Sequence, residues 1–214
     1  AKGDLIINGG VTALSDNAAL TGKSVSIGGA LAANIARASI KSTTGDIKLG
    51  GALIAKGTIT LDSANNINGA DADVQGGRLT ATAAQSITLG KIGIDSGSAV
   101  LTATSGGITA GNFTGGALEA SAKGAVTFNG GVTASSGNAE LTGSSVSIGG
   151  ALAANNASAS IKSTTGDITL GGALSAKDSI TVQSAGNIAI GGDVTGDSLT
   201  ATAAQSISLQ AINI

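Results

Sequence analysis

Residues 24–53 read SVSIGGALAANIARASIKSTTGDIKLGGAL, and this stretch decides the fold. An alternating segment turns Val25 and Ile27 to one side, breaks at Gly28-Gly29, and resumes with Leu31 and Ala33. A third segment carries Ala38 and Ile40, a polar corner follows at Thr44-Gly45-Asp46, and the scheme restarts with Ile47 and Leu49. Such short alternation is the period-two pattern of a half-buried strand. The restart recurs along the whole chain, at Val25, Ile47, Ile67, Ile87, Ile108, Val126, Val146, Ile168, Ile188 and Ile207, with Leu5 before them. The steps run from 18 to 22 residues. A repeat of this length is the signature of a solenoid, in which each coil buries its apolar face only against the coils above and below.

Two kinds of corner punctuate each coil. Double glycines follow the first strand at Gly28-Gly29, Gly50-Gly51, Gly130-Gly131, Gly149-Gly150, Gly171-Gly172 and Gly191-Gly192. Glycine tolerates positive φ and permits close backbone approach. Clusters of Asn, Asp, Ser, Thr and Gly precede the first strand, as at Ala64-Asn65-Asn66 and Thr165-Gly166-Asp167, and these are turn formers. No segment offers a capped 3.6-residue apolar stripe. The pattern therefore predicts an all-β parallel β-helix with about 20 residues and three short strands per coil, and roughly ten coils. Insertions must be absorbed at corners, because a one-residue slip within a strand turns its apolar set outward.

Composition narrows the function. The 214 residues include 35 Gly and two Phe, with no Pro, Cys, Met, Trp, Tyr or His, and 11% are charged. Enzymes of this size seldom dispense with His, Tyr and Trp together, so no catalytic activity is expected, and no catalytic, cofactor or metal site is assigned. The net charge is -2 with no basic block, which argues against a nucleic-acid partner. No apolar run approaches the roughly 18 residues of a membrane-spanning helix. The opening AKGDLIINGG has no basic region followed by an apolar one, which places any secretion signal outside this chain.

The chain also repeats on a larger scale. Residues 31–53 recur almost verbatim at 152–174, an offset of 121, and LTATAAQSITL at 79–89 returns as LTATAAQSISL at 199–209, an offset of 120. Residues 25–90 thus resemble 146–210 within a single rod segment, 1–214. Copying of six coils suits a filament, whose product is length. At about 4.8 Å per stacked coil the rod should be about 50 Å long. Neither end carries an atypical capping repeat, which reads as a piece of a longer rod.

The repeated unit, exemplified by Val25, Ile27, Gly28, Gly29, Leu31 and Ala33, resembles the repeats of filamentous haemagglutinin-type exoproteins over essentially the whole chain. These include adhesins and the shafts of contact-dependent inhibition proteins. The resemblance implies a right-handed helix, as the handedness rule for parallel crossovers also does. It further implies a secreted or cell-surface location and export through an outer-membrane transporter of the two-partner type. The implied role is a shaft supporting attachment to a receptor or glycan on host cells or other bacteria. The alternatives are a direct receptor- or glycan-binding face, or a carbohydrate-processing β-helix. Unpaired strand edges at the coil ends favour end-to-end self-association.

Candidate polar positions are few. Asp71 and Asp73, with Arg78 nearby, are the nearest approach to the paired carboxylates of a glycosidase, and Asp193 and Asp197 stand at the duplicated place. Asp46 and Asp167 in TTGD read as turn caps, since the converging oxygens of a calcium site are lacking. A file on the third strand, Thr21, Lys41, Thr60, Thr80, Thr102, Glu119, Glu140, Ser160, Thr181 and Thr200, reads as ordinary solvated strand surface. Asn65 and Asn66 are expected to stack with Thr44 and Gln85. Lys23, Arg37, Lys41, Lys48 and Lys56 give the first part a mild positive bias.

Overall fold

The computed structural model describes residues 2–14 and 16–214. Among them there is no helix, and the strands come three to a coil, as in Val25–Ile27, Leu31–Ala33 and Ala38–Ser42. Ten coils are complete and an eleventh opens at Ile207. Like strands of successive coils pair in parallel, and the first strands form an eleven-stranded sheet from Leu5–Ile7 to Ile207–Ser208. The second and third strands form two further faces, fused where Leu53–Ser63 and Val74–Ala83 run unbroken around their shared corner. The chain is a β-solenoid.

The register places like on like. Val25, Ile47, Ile67, Ile87, Ile108, Val126, Val146, Ile168, Ile188 and Ile207 form one column of direct partners. All are buried except Ile207, in the last strand of that sheet, which is 46% exposed. Full burial of such a side chain contributes about 1.5–3 kcal/mol as an upper figure, and the column repeats that contribution at every coil.

The core is narrow, so side-chain volumes are matched between columns. Phe113 takes a place in the second-strand column held by Ile92 below and Val132 above. Room for its ring comes from the same coil: a Cβ on Gly115 would lie 2.7 Å from Phe113 Cζ. Ala110 stands where the neighbouring coils have Leu89 and Phe128 along the first strand. The same exchange occurs at Gly76, where a Cβ would meet Ile59 Cδ1 at 2.9 Å.

The double-glycine corners keep the backbone ladder intact. Gly28 N donates to Ile7 O at 2.7 Å, Gly50 N to Ile27 O at 2.8 Å, and Gly171 N to Ile148 O at 2.8 Å. No described residue, glycine included, has a positive φ. Of the two reasons for glycine at these corners, positive φ is thus corrected, and close backbone approach is the one the structure uses. A Cβ on Gly28 would lie 2.5 Å from the carbonyl oxygen of Asn8, and one on Gly50 2.6 Å from that of Gly28. Gly29, Gly51 and Gly172 meet backbone nitrogen of the preceding coil at 2.8 Å in the same way. Gly130-Gly131, Gly149-Gly150 and Gly191-Gly192 occupy the equivalent corner, with Gly131 the loosest at 3.1 Å from Ala151 O.

Gly50→Ala should therefore force two coils apart and cost about 1–3 kcal/mol, the usual range for overpacking. Gly93→Ala is the control, because its Cβ would find Gln75 Cγ at an ordinary 3.8 Å. Urea unfolding followed by circular dichroism reads both. A shift for Gly50→Ala no larger than that for Gly93→Ala would contradict the close-approach argument.

Candidate functional site

Three sets of outward or corner residues merit consideration as sites. The first is the polar corner before strand one. Asp46 Oδ1 accepts from Asn65 Nδ2 at 2.7 Å and from both Asn66 N and Asn66 Nδ2 at 3.1 Å. Ser86 N then donates to Asn66 Oδ1 at 3.1 Å, and Gly107 N to Ser86 Oγ at 3.3 Å. Ser24 caps onto Asp4 at 2.8 Å, and Asn187 onto Asp167 at 2.6 Å through its N–H. Asn65 and Asn66 thus cap onto Asp46, and Ser86 onto Asn66; of the expected neighbours, Gln85 stacks on Asn65 through Gln85 N→Asn65 O at 3.0 Å, while Thr44 does not join the series. The reason is register: the residue directly before each first strand forms its own file, and Thr44 bonds the Lys23 carbonyl instead. Beneath this corner lie the buried hydroxyls of Ser42 and Ser63, paired at 3.1 Å, and their copies Ser163 and Ser184, paired at 3.2 Å. All accept or donate within the turn, and no buried side-chain polar atom among the described residues lacks a partner. This corner satisfies backbone groups and offers nothing to a ligand.

The second set is the outward surface of strand three. The expected single file resolves into two. Thr60, Thr80, Glu119, Glu140, Ser160, Thr181 and Thr200 share one file, with Val100 between Thr80 and Glu119. Thr21, Lys41 and Thr102 belong to the other, with Asp62 and Thr82 between Lys41 and Thr102. Coil length varies at every corner, the one before strand three included, so a count carried from strand one keeps the face and loses the file. Lys41 meets Asp62 at 2.6 Å, the one salt bridge among the described residues. With both side chains about half exposed, it contributes at most about 1 kcal/mol. The longest hydroxyl run lies elsewhere, on strand one: Thr88, Thr109, Thr127, Ser147 and Thr169.

The third set is a groove on strand two, of about 450 Å³, lined by Asp73, Gln75, Lys91, Gly93, Asp95, Asn112 and Thr114 over Ile92 and Ile94. Its origin is one residue. The outward file reads Gln75, Gly93, Thr114, and the glycine leaves a dent between two side chains. Asp73, Lys91 and Asn112 stack along one rim through Val74 N→Lys91 O and Ile92 N→Asn112 O, both 2.8 Å. Asp73 Oδ1 also accepts from Lys91 N at 2.9 Å. The groove presents carboxylates, an ammonium, amides and a hydroxyl, a set that matches a hydroxyl-rich ligand.

Of the residues singled out above, only Asp73 reaches this groove. Asp71 is exposed on the preceding turn, and Arg78 lies beyond the next corner at the start of strand three. Asp193 precedes strand two while Asp197 lies after it, bonded through its N–H to the Asp178 carbonyl at 3.0 Å. Gly93 carried no sequence signal of its own, since the missing side chain matters only once its neighbours in the file are known. No family model, no curated protein and no solved structure matches this chain.

Burial raises the Asp46 pKa, but hydrogen bonds from Asn66 and Asn65 and the charge of Lys48 outweigh it, so the pKa lies below 3.8. A depressed carboxyl adds stability that is present above the unfolded value and lost as pH falls through the folded one. Asp46→Asn keeps an acceptor oxygen and removes the charge. It should lower the urea midpoint at pH 7 and cost progressively less as the pH is taken below 3.8. A difference that does not change with pH would count against the charged cap.

Proposed function

We propose that this chain is a shaft segment of a large secreted bacterial surface adhesin of the filamentous haemagglutinin type. In this reading an outer-membrane partner exports the protein, and the rod holds a binding region away from the cell. The observation that supports it is the unbroken register of all three strand columns over ten coils. A core that repeats itself coil after coil suits transmission of length and load. The resemblance of the repeats supplies the exported, adhesive setting.

A shaft tolerates whole-coil deletion. Joining Asp46 directly to Ile168 removes six coils and recreates a native junction, because Asp167 normally precedes Ile168. The shortened rod should keep its β circular dichroism and lose about 29 Å of maximum dimension, at about 4.8 Å per coil, by small-angle scattering. Displayed on cells beneath a sugar-binding head, it should reduce attachment while leaving the soluble head's affinity unchanged. Equal attachment at both lengths would sink the shaft reading.

The groove at Gly93 favours a second reading, in which the rod itself binds a glycan. Gly93→Thr matches Thr114 and fills the dent without disturbing the core. Saturable cell binding by the isolated chain, lost in Gly93→Thr, would establish that reading. No binding by either protein would eliminate it.

A further inference from the structure

The duplication supplies an internal control for the surface. Two sets of coils with the same core and corners have the same demands for folding, so outward differences between them are free of those demands. At an offset of 121 residues, the exposed aliphatics of the early coils all have polar counterparts. Leu14, 73% exposed, corresponds to Ser135; Ile35, 60% exposed, to Asn156; and Ile54, 40% exposed, to Ser175. Both arginines follow the same division, whereas Lys56 is retained as Lys177. Arg37 corresponds to Ser158, and Arg78, at an offset of 120, to Ser198.

These positions share one side of the rod. Ile54 and Lys56 project from strand two of the third coil, and Leu14 follows strand two of the first. Ile35 and Arg37 lie on the corner leading into Ala38–Ser42, and Arg78 pairs with Thr58 just past the same corner. Lys56, Arg37 and Arg78 are exposed and form no salt bridge among the described residues. None of these residues lines the Gly93 groove, and the three aliphatics protrude. Protruding aliphatics flanked by cations, without a recess, offer no pocket to a small ligand. A fluid anionic lipid interface accepts them: the aliphatics enter the headgroup boundary and the cations meet lipid charge.

We propose that the corner of the first four coils, built from Leu14, Ile35, Ile54, Arg37, Lys56 and Arg78, is a docking surface for an anionic lipid bilayer. The matching corner in the second copy keeps the lysine, as Lys177, and has polar residues at the other five places. The proposal rests on the rod and not on the shaft role, and its failure leaves that role standing.

Vesicle flotation of the 214-residue chain tests it, with phosphatidylcholine vesicles and with vesicles containing phosphatidylglycerol as a third of the lipid. The chain should float with the anionic vesicles and remain below with the neutral ones. Two variants use residues the second copy already carries at equivalent places: Leu14→Ser/Ile35→Asn/Ile54→Ser, and Arg37→Ser/Arg78→Ser. Each should weaken partition at least about tenfold, each juxtamembrane cation alone accounting for about 1 kcal/mol. Ile6→Thr, on strand one, should change nothing. Circular dichroism confirms that all variants fold. Flotation with neither vesicle, or equally with both, would overturn the proposal. So would binding to heparin-agarose as strong as that to the anionic vesicles and insensitive to the aliphatic triple variant, which would mark an anionic polysaccharide site instead.

Discussion

Backbone hydrogen bonds hold neighbouring coils about 4.8 Å apart, and every other feature of the rod answers to that spacing. It is too short for a β-carbon where two corners lie directly over one another, which is why Gly28 and Gly50 are glycine without any unusual backbone angle. It is right for one aliphatic side chain resting on another, which is why the first-strand column stays Val or Ile from Val25 to Ile207. It also brings a side-chain oxygen within reach of the N–H one coil above, and the Asp46–Asn66–Ser86 series uses that reach.

The narrowness that follows from three short strands imposes a second rule. Volume must be balanced within a coil, because the walls cannot spread without breaking the ladder. Phe113 with Ala110 and Gly115 in its own coil is the clearest case. The surface is under no such rule. Between the duplicated coils Val25 and Ile47 match Val146 and Ile168, while Ile54 faces solvent where Ser175 does so in the second copy. Selection on packing and freedom outside it can thus be separated residue by residue.

The architecture was legible in residues 24–53 because period-two alternation and a coil-length restart are local properties of the string. The first-strand column was equally legible, since each member sits a fixed distance past a recognisable corner. What escaped depended on register across coils of unequal length. Thr21 and Thr60 share a face but not a file, and Asn66 caps onto Asp46 where Thr44 was the nearer reading. The groove escaped for a related reason: a glycine in a glycine-rich chain is unremarkable until Gln75 and Thr114 are known to flank it.

The caps before strand one all point the same way. The oxygen belongs to the earlier coil and the donor to the later one, from Asp4 and Ser24 to Asp167 and Asn187. A chain that emerges amino end first therefore always has its acceptors in place before the matching donors arrive. Each finished coil is a template with a defined leading edge, and the rod has a direction of assembly written into its side chains as well as its backbone.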